Sequence, residues 1–245
     1  LLTQQLSLHG QGHADVVQSK VALAMVLREQ GELDDAKGYL SSAMEATETL
    51  ESERPEVVAQ TRKIMAWVLD DEESYSDAAP LHAQVLDWQT SALGVMHEDT
   101  LLTKMNIGLG LAARGRLDEA CDPLEVALAG NREVLGSTHL HTLAAANNLA
   151  YVYEQQARYD AAADVYRDTL PGLQESFGDR HPRTQTARRG LASALEQTQR
   201  FSEAQELRTT VLSLEQSSYG DLHPNTVAAR FDLAQAWAGQ GDVGK

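Results

Sequence analysis

The sequence predicts an all-α chain, a solenoid of stacked antiparallel helix pairs. Three observations lead there. Small and turn-forming residues recur every 42 positions along the 245-residue chain, and a fixed period of this size marks a repeat architecture. Apolar residues within a period fall at helical spacing, as in Leu143, Leu149, Ala150 and Tyr153, then Tyr159, Ala162, Tyr166 and Leu170. Aromatic residues make up only 5% of the chain and β-branched runs are few, so four-stranded blades of similar length do not fit.

The lattice assigns each element in order. Gly10, Gly94, Gly136, Gly178 and Gly220 follow apolar helical stretches, where a residue of positive φ ends a helix. His13, His97, His139, His181 and His223 come three residues later, with Pro55 in the one remaining slot. Thr100, Thr142, Thr184 and Thr226 follow at the same period. His181-Pro182 and His223-Pro224 open the first helix of a repeat, since proline suits a first helical turn. First helices carry Ala24, Ala66, Gly108, Ala150, Ala192 and Ala234; second helices carry Ala36, Ala78, Ala120, Ala162 and Ala204. These two rows of small residues let paired helices approach closely. Between them, Gln30-Gly31-Glu32-Leu33, Arg114-Gly115-Arg116-Leu117 and Gln156-Ala157-Arg158-Tyr159 read as turns. Repeat two is the least regular, with Asp-Asp-Glu-Glu at 70–73.

Repeats are therefore expected at about 11–52, 53–94, 95–136, 137–178 and 179–220, in a single array over 1–245. Residues 1–10 read as the end of a preceding repeat, with a trailing helix over 1–9. Residues 221–245 read as a partial repeat that turns at Gln240-Gly241-Asp242. Leu233 and Trp237 should face a second helix beyond Lys245, so the chain reads as a fragment of a longer array.

Charge narrows the partners. The formal net charge is −16, which argues against a nucleic-acid surface, because phosphate contacts need Lys and Arg. Residues 1–122 hold 21 acidic and 9 basic side chains, so a basic partner would be drawn to that half. The single cysteine, Cys121, permits no intrachain disulfide, which fits an intracellular, cytoplasmic protein. No apolar run approaches the roughly 20 residues that span a bilayer, and no signal-peptide pattern is present.

The run Asn147-Asn148-Leu149-Ala150, then Tyr153 and Arg158-Tyr159-Asp160-Ala161-Ala162, resembles the tetratricopeptide (TPR) signature. The 42-residue length, with Leu135-Gly136 before His139 and Thr142, is similar to the kinesin-light-chain subclass. That subclass also forms the C-terminal arrays of bacterial and fungal NB-ARC or NACHT signalling ATPases. Asp122-Pro123-Leu124-Glu125 fits the same style, and the resemblance covers essentially the whole chain. It implies a right-handed superhelix whose first helices line a concave face that takes an extended peptide or a helix.

The resemblance also places that face residue by residue. In the fourth repeat it falls on Ala144, Asn147, Asn148, Tyr151, Glu154 and Gln155. In the fifth it falls on Thr186, Arg189, Gly190, Ser193, Glu196 and Gln197. Gln60, Lys63, Ile64, Trp67, Asp70 and Asp71 correspond in the second, and Leu102, Met105, Asn106, Leu109 and Ala112 in the third. The partner-binding candidates drawn from these are Lys63, Trp67, Met105, Asn106, Asn147, Asn148, Tyr151 and Arg189.

An asparagine amide can donate to a peptide carbonyl and accept from its N–H, so Asn106 and Asn148 are candidates to hold a ligand backbone. The alternative is a bond to the neighbouring repeat's own backbone. Other repeats carry Ala22, Ile64, Gly190 and Asp232 at that position. Trp67, Met105 and Leu109 either form an apolar binding patch or pack adjacent first helices together. Asp70 and Asp71 with Glu29 either attract a basic ligand or form a solvated helix end. Lys63 and Arg189 alone are too few for a carboxylate clamp. The basic row Lys20, Arg62, Lys104, Arg188 and Arg230 should pair with carboxylates of neighbouring helices and act structurally.

Catalytic chemistry is not advertised. Five of the eight histidines are on the lattice, one repeat apart, and His139-x-His141 has no Cys or Asp at ligand spacing, so no metal site is expected. Cys121 has no evident base, and no Gly-rich phosphate loop is present. The expected function is a protein–protein interaction scaffold, without cofactor, as the sensor array of a larger signalling ATPase. Two alternatives stand beside it. One is a receptor for a small ligand or signal peptide, enclosed by the superhelix among Trp67, Asn106, Tyr151 and Arg189. The other is an enzyme or enzyme accessory on a helical-repeat scaffold. Expected partners are a protein or peptide, with self-association or a larger parent chain, and neither nucleic acid nor membrane.

Overall fold

The first four amide groups of a helix have no partner within it, and the 42-residue lattice supplies one. The computed structural model describes residue 10, residues 12–48 and residues 50–243. The Nδ1 atom of His13 accepts from the Asp15 amide at 3.3 Å. His97, His139, His181 and His223 accept from the amide two residues on, each at 3.2 Å. The Thr100, Thr142, Thr184 and Thr226 hydroxyls donate back to the carbonyls of Gly94, Gly136, Gly178 and Gly220, at 2.7–2.9 Å. Those glycines have φ between 80° and 97°. Glycine, histidine and threonine thus form one local unit that turns the chain and starts the next helix.

Eleven helices and no strand are present among the described residues. They are α1 (Ala14–Glu29), α2 (Leu33–Thr47), α3 (Pro55–Asp71), α4 (Tyr75–Ala92), α5 (Glu98–Ala113) and α6 (Leu117–Leu135). The rest are α7 (Leu140–Gln155), α8 (Tyr159–Phe177), α9 (Pro182–Gln197), α10 (Phe201–Tyr219) and α11 (Pro224–Val243). The trailing helix expected over 1–9 lies outside the described residues. None of the described helices is long and apolar enough to cross a membrane.

Each odd-numbered helix from α1 to α9 ends in the same tight turn. The amides of Glu32, Ser74, Arg116, Arg158 and Arg200 donate to carbonyls five residues back, at 2.8–2.9 Å. This closure requires a left-handed residue one place earlier. Gly31 and Gly115 supply it with φ of 80° and 74°. Glu73, Ala157 and Gln199 take the same conformation at 58°, 57° and 61°. The irregular Asp-Asp-Glu-Glu segment therefore makes the turn, at the cost of a strained Glu73. The equivalent Gly241 lies inside α11, which runs on to Val243, so the turn expected at 240–242 is not formed. The other five turns are each closed by a residue that leads into a second helix, and no such helix follows α11 among the described residues.

The described residues fall into two compact units, divided between Arg116 and Leu117. In the first, α1 packs on α2 and α3, α2 on α3, α3 on α4 and α4 on α5. In the second, each helix from α6 to α11 packs on the next, and α7 also meets α9. Most of the small residues are buried where these helices pack, while Ala234 on α11 is exposed. Ala24, Ala66, Ala150, Ala192, Ala36, Ala120, Ala162 and Ala204 are fully buried. On α11, Trp237 is exposed but Leu233 is buried. Leu233 thus corrects the expectation that it waits for a further helix, since it is already buried.

Four of the five basic-row side chains have partners within the protein, and for Arg62, Arg188 and Arg230 the partner is a turn carboxylate rather than one on a neighbouring helix. Arg188 reaches Asp179 at 2.5 Å and Arg230 reaches Asp221, each nine residues back in the turn before its own helix. Arg62 forks onto Glu51 at 2.9 and 2.7 Å. Lys20 donates to the Ser42 hydroxyl at 2.8 Å. The tight cap folds the turn back over the first helix, so a turn carboxylate is closer than one on a neighbouring helix.

Relief of the left-handed strain should be measurable. An L residue in this conformation costs about 1–2 kcal/mol, and glycine adds back up to about 1 kcal/mol of chain entropy. Ala157→Gly should therefore stabilise the fold by about 0.5–1 kcal/mol in thermal or urea unfolding, whereas Gly31→Ala should destabilise it.

Candidate functional site

On α7, residues 144, 147, 148, 151 and 154 are three or four apart and share one face. Residues 186, 189, 190 and 193 do the same on α9. Because α7 and α9 both pack on α8, the two faces form the sides of one cleft. The cleft holds about 450 Å³ and is lined by Asn147, Asn148, Tyr151, Arg189, Tyr166 and Arg208, among others. Four of the eight candidate residues thus meet in one place. Tyr151 is 51% exposed. Among the described residues, the Asn147 and Asn148 side chains make no hydrogen bond within the protein, so they are not spent on the neighbouring repeat's backbone.

The base of the cleft is set by polar pairs that the periodic reading missed. Glu154 accepts from the Tyr166 hydroxyl at 3.3 Å, and Arg208 forks onto Glu196 at 3.0 and 3.1 Å. Arg208 also reaches Asp232 at 3.3 Å. The same lattice positions in the first unit hold Asp70 and His82, 2.7 Å apart. A first-helix carboxylate is thus matched by a donor twelve residues later. The signal was in the sequence, since His82, Tyr166 and Arg208 replace the Leu40 and Leu124 of the same row. Helical spacing alone predicts Tyr166 as a core residue.

Gly190, a departure from the asparagine position, makes room for Tyr166. A Cβ at Gly190 would lie 2.5 Å from the Tyr166 ring. Burial pushes the Tyr166 phenol well above its usual range, and the Glu154 charge adds to this. Burial also raises the Glu154 carboxyl, against the opposing pull of the Tyr166 hydroxyl.

The other four candidates lie in the first unit. Met105 is buried in its core. Trp67 is half-buried against that core, with the Arg28 guanidinium and the Lys63 ammonium each 5.3 Å from its ring centre. Lys63 in turn reaches Asp99 at 3.2 Å. Asp71 takes a fork from Arg28 at 2.5 and 3.2 Å, so Asp70 and Asp71 both have internal partners. Asn106 is half-buried on α5, while the matching Ile64 on α3 is buried. Cys121 is buried, and burial pushes its thiol up.

Residues 99–175 match the family model of the tetratricopeptide repeat. The structure is similar to the nearly identical TPR-like repeats of a kinesin-light-chain-type protein from Podosopora anserina. Its TM-score is 0.72 at 23% identity, over 84% of this chain and 98% of that one. It is similar to BtubC from P. vanneervenii, with a TM-score of 0.68 at 19% identity over 86% and 85% of the two chains. It is also similar to a Signal Transduction ATPase with Numerous Domains from Pyrococcus horikoshii that has a tetratricopeptide repeat sensor. There the TM-score is 0.79 at 15% identity over 99% of this chain, which spans 37% of that protein. At these identities the shared property is the fold. No curated protein matches in sequence.

Two outcomes test the base of the cleft. Gly190→Ala should destabilise the protein by about 1–3 kcal/mol through overpacking, and the loss should shrink in a Tyr166→Ala background, as a double-mutant cycle would show. Glu154 is the second test. A folded-state carboxyl that titrates higher than in the unfolded chain makes stability fall as pH rises through the window between the two values. The stability difference between wild type and Glu154→Gln should therefore move against wild type as pH rises above about 4.3, while the depressed carboxyls of Glu56, Asp179 and Glu203 act alike in both proteins.

Proposed function

We infer that this tetratricopeptide-repeat chain is an interaction scaffold, and that it holds an extended protein segment against the α7–α9 cleft. The carrying observation is the pair of unspent amides, Asn147 and Asn148, beside the exposed Tyr151. An unspent amide can bond both halves of a peptide group, and a tyrosine ring adds contact area at small entropic cost. Polar pairs at the base, Glu154–Tyr166 and Arg208–Glu196, hold the walls in place before a ligand arrives. The chain works by binding rather than by chemistry.

The proposal extends to context. Residues 1–245 belong to a single array, and that array serves as the sensor of a larger signalling ATPase. The support is the similarity to a Signal Transduction ATPase with Numerous Domains that has a tetratricopeptide repeat sensor. A nucleotide-binding domain encoded beside this segment is the expected finding, and a flanking sequence without one would remove the sensor role.

The binding site has its own test. A library of N-acetylated, C-amidated heptapeptides, panned on the whole chain, should return ligands whose affinity falls tenfold or more in Asn147→Ala/Asn148→Ala. That corresponds to two hydrogen bonds of about 1 kcal/mol each. Unchanged affinity, with helicity retained, would show that the cleft is not where they bind.

A further inference from the structure

We propose that the cleft is read through side-chain pockets that recur with the repeat. The two in the second unit take, one repeat apart, an apolar side chain and a side-chain carboxamide (Asn or Gln) of the same extended segment. This rests on the peptide-binding reading above and adds what the segment must contain.

The recurrence is visible in three places. A pocket of about 430 Å³ lies among α3, α4 and the start of α5. A second, of about 290 Å³, lies among α7, α8 and the start of α9. A third, of about 190 Å³, lies among α9, α10 and the start of α11. Their linings share lattice positions. One is on the first helix (Lys63, Asn147, Arg189), and one is on the second (Gln89, Leu173, Glu215). The third is in the first turn of the next helix (Asp99, Arg183, Asn225). Helix pairs repeating every 42 residues repeat the hollow between them, while the residues lining it are free to differ.

The second-helix position sets the chemistry. Leu173 is buried and, with Leu143 and Pro182, makes its pocket apolar. None of that pocket's lining residues carries a buried unpaired polar atom among those described. Where the position is polar, such atoms appear. Gln89 is 2% exposed with Oε1 unpaired. Glu215 is 7% exposed with Oε2 unpaired, and two other residues of its pocket share the condition, Gln185 at Oε1 and Arg189 at Nε. The Gln185 amide nitrogen is already donated to the Asp179 carbonyl at 2.7 Å, which fixes its oxygen as the open acceptor. Unpaired buried polar groups are rare in folded proteins and call for an explanation.

The unpaired atoms lie beneath the pocket surface, and they specify a guest side chain that enters far enough to reach them. Two acceptors and one donor remain open, and a carboxamide offers two N–H donors and one carbonyl. A hydroxyl has one donor for the two acceptors, and charge excludes the ionised side chains. The second Glu215 oxygen takes Arg189 at 3.1 Å, so that pair is neutral, and Arg180 adds a cation to the lining. A lysine or arginine guest would be repelled by Arg180, and a carboxylate would face Glu215. Thr186 lines the apolar pocket, the central cleft and the polar pocket alike. One segment can therefore pass from the first to the last.

The heptapeptide library tests this on the whole chain, with residue preference read at each position. Wild type should enrich an apolar residue at one position and Asn or Gln at a second, at a fixed interval. Glu215→Gln is isosteric and leaves Arg189 without its counter-charge. It should switch the second preference to Asp or Glu by tenfold or more and leave the first unchanged. Ala144→Phe fills the apolar pocket from a half-buried site, and it should abolish only the first preference. Peptides retained without a positional preference, or with a preference that neither variant moves, would overturn the pocket assignment and leave the scaffold reading standing. No peptide retained at all would overturn both.

Discussion

The structure depends on the partnering of backbone amides where each first helix begins. These groups have no acceptor within the helix, and burial without one is costly. A histidine Nδ1 takes one of them, and the threonine hydroxyl ties the helix start to the carbonyl of the glycine that ended the previous helix. Start and stop are thereby welded into one unit seven residues long. The complete unit recurs at four of the six first helices. Most of the small residues are buried where the helices pack, and Arg62, Arg188 and Arg230 reach carboxylates in the turns before their own helices.

The same constraint separates two kinds of residue. Lattice positions are occupied by the fold, as the buried Ala150 and Ala162 and the capping His139 illustrate. Off-lattice positions on the first helices are released from that duty. Even there the molecule imposes local order: Glu154 with Tyr166, and Glu196 with Arg208, occupy one pair of positions with different chemistry and similar reach. Gly190 belongs to this second layer. It departs from asparagine because the Tyr166 ring occupies the space a side chain would need.

Much of the fold was legible because it is written in local chemistry and repeated. The helix pairs and small rows follow from spacing alone. The candidate face was legible in part. Asn147, Asn148, Tyr151 and Arg189 share a helical register and line one cleft. Met105 was placed on the same register, yet it is buried in the first unit's core. Which first-helix residues stay open depends on what the neighbouring helices bring against them, and periodicity does not carry that. Arg208 was missed for the same reason, since its partners Glu196 and Asp232 lie twelve and twenty-four residues away on two other helices.

The sequence by itself determined the all-α class, the helix-pair period, and the positions of caps, turns and close approaches, because these depend on residues a few positions apart. It also showed which turn slots lack glycine. Only the tertiary structure decided that Glu73, Ala157 and Gln199 accept left-handed backbone there, because helix packing outweighs the local strain. It alone decided that α11 runs through Gly241, that two cations reach the Trp67 ring, and that buried polar atoms gather around Glu215. Each of these outcomes is a competition between a local preference and the groups that folding brings near, and only the folded chain contains both sides.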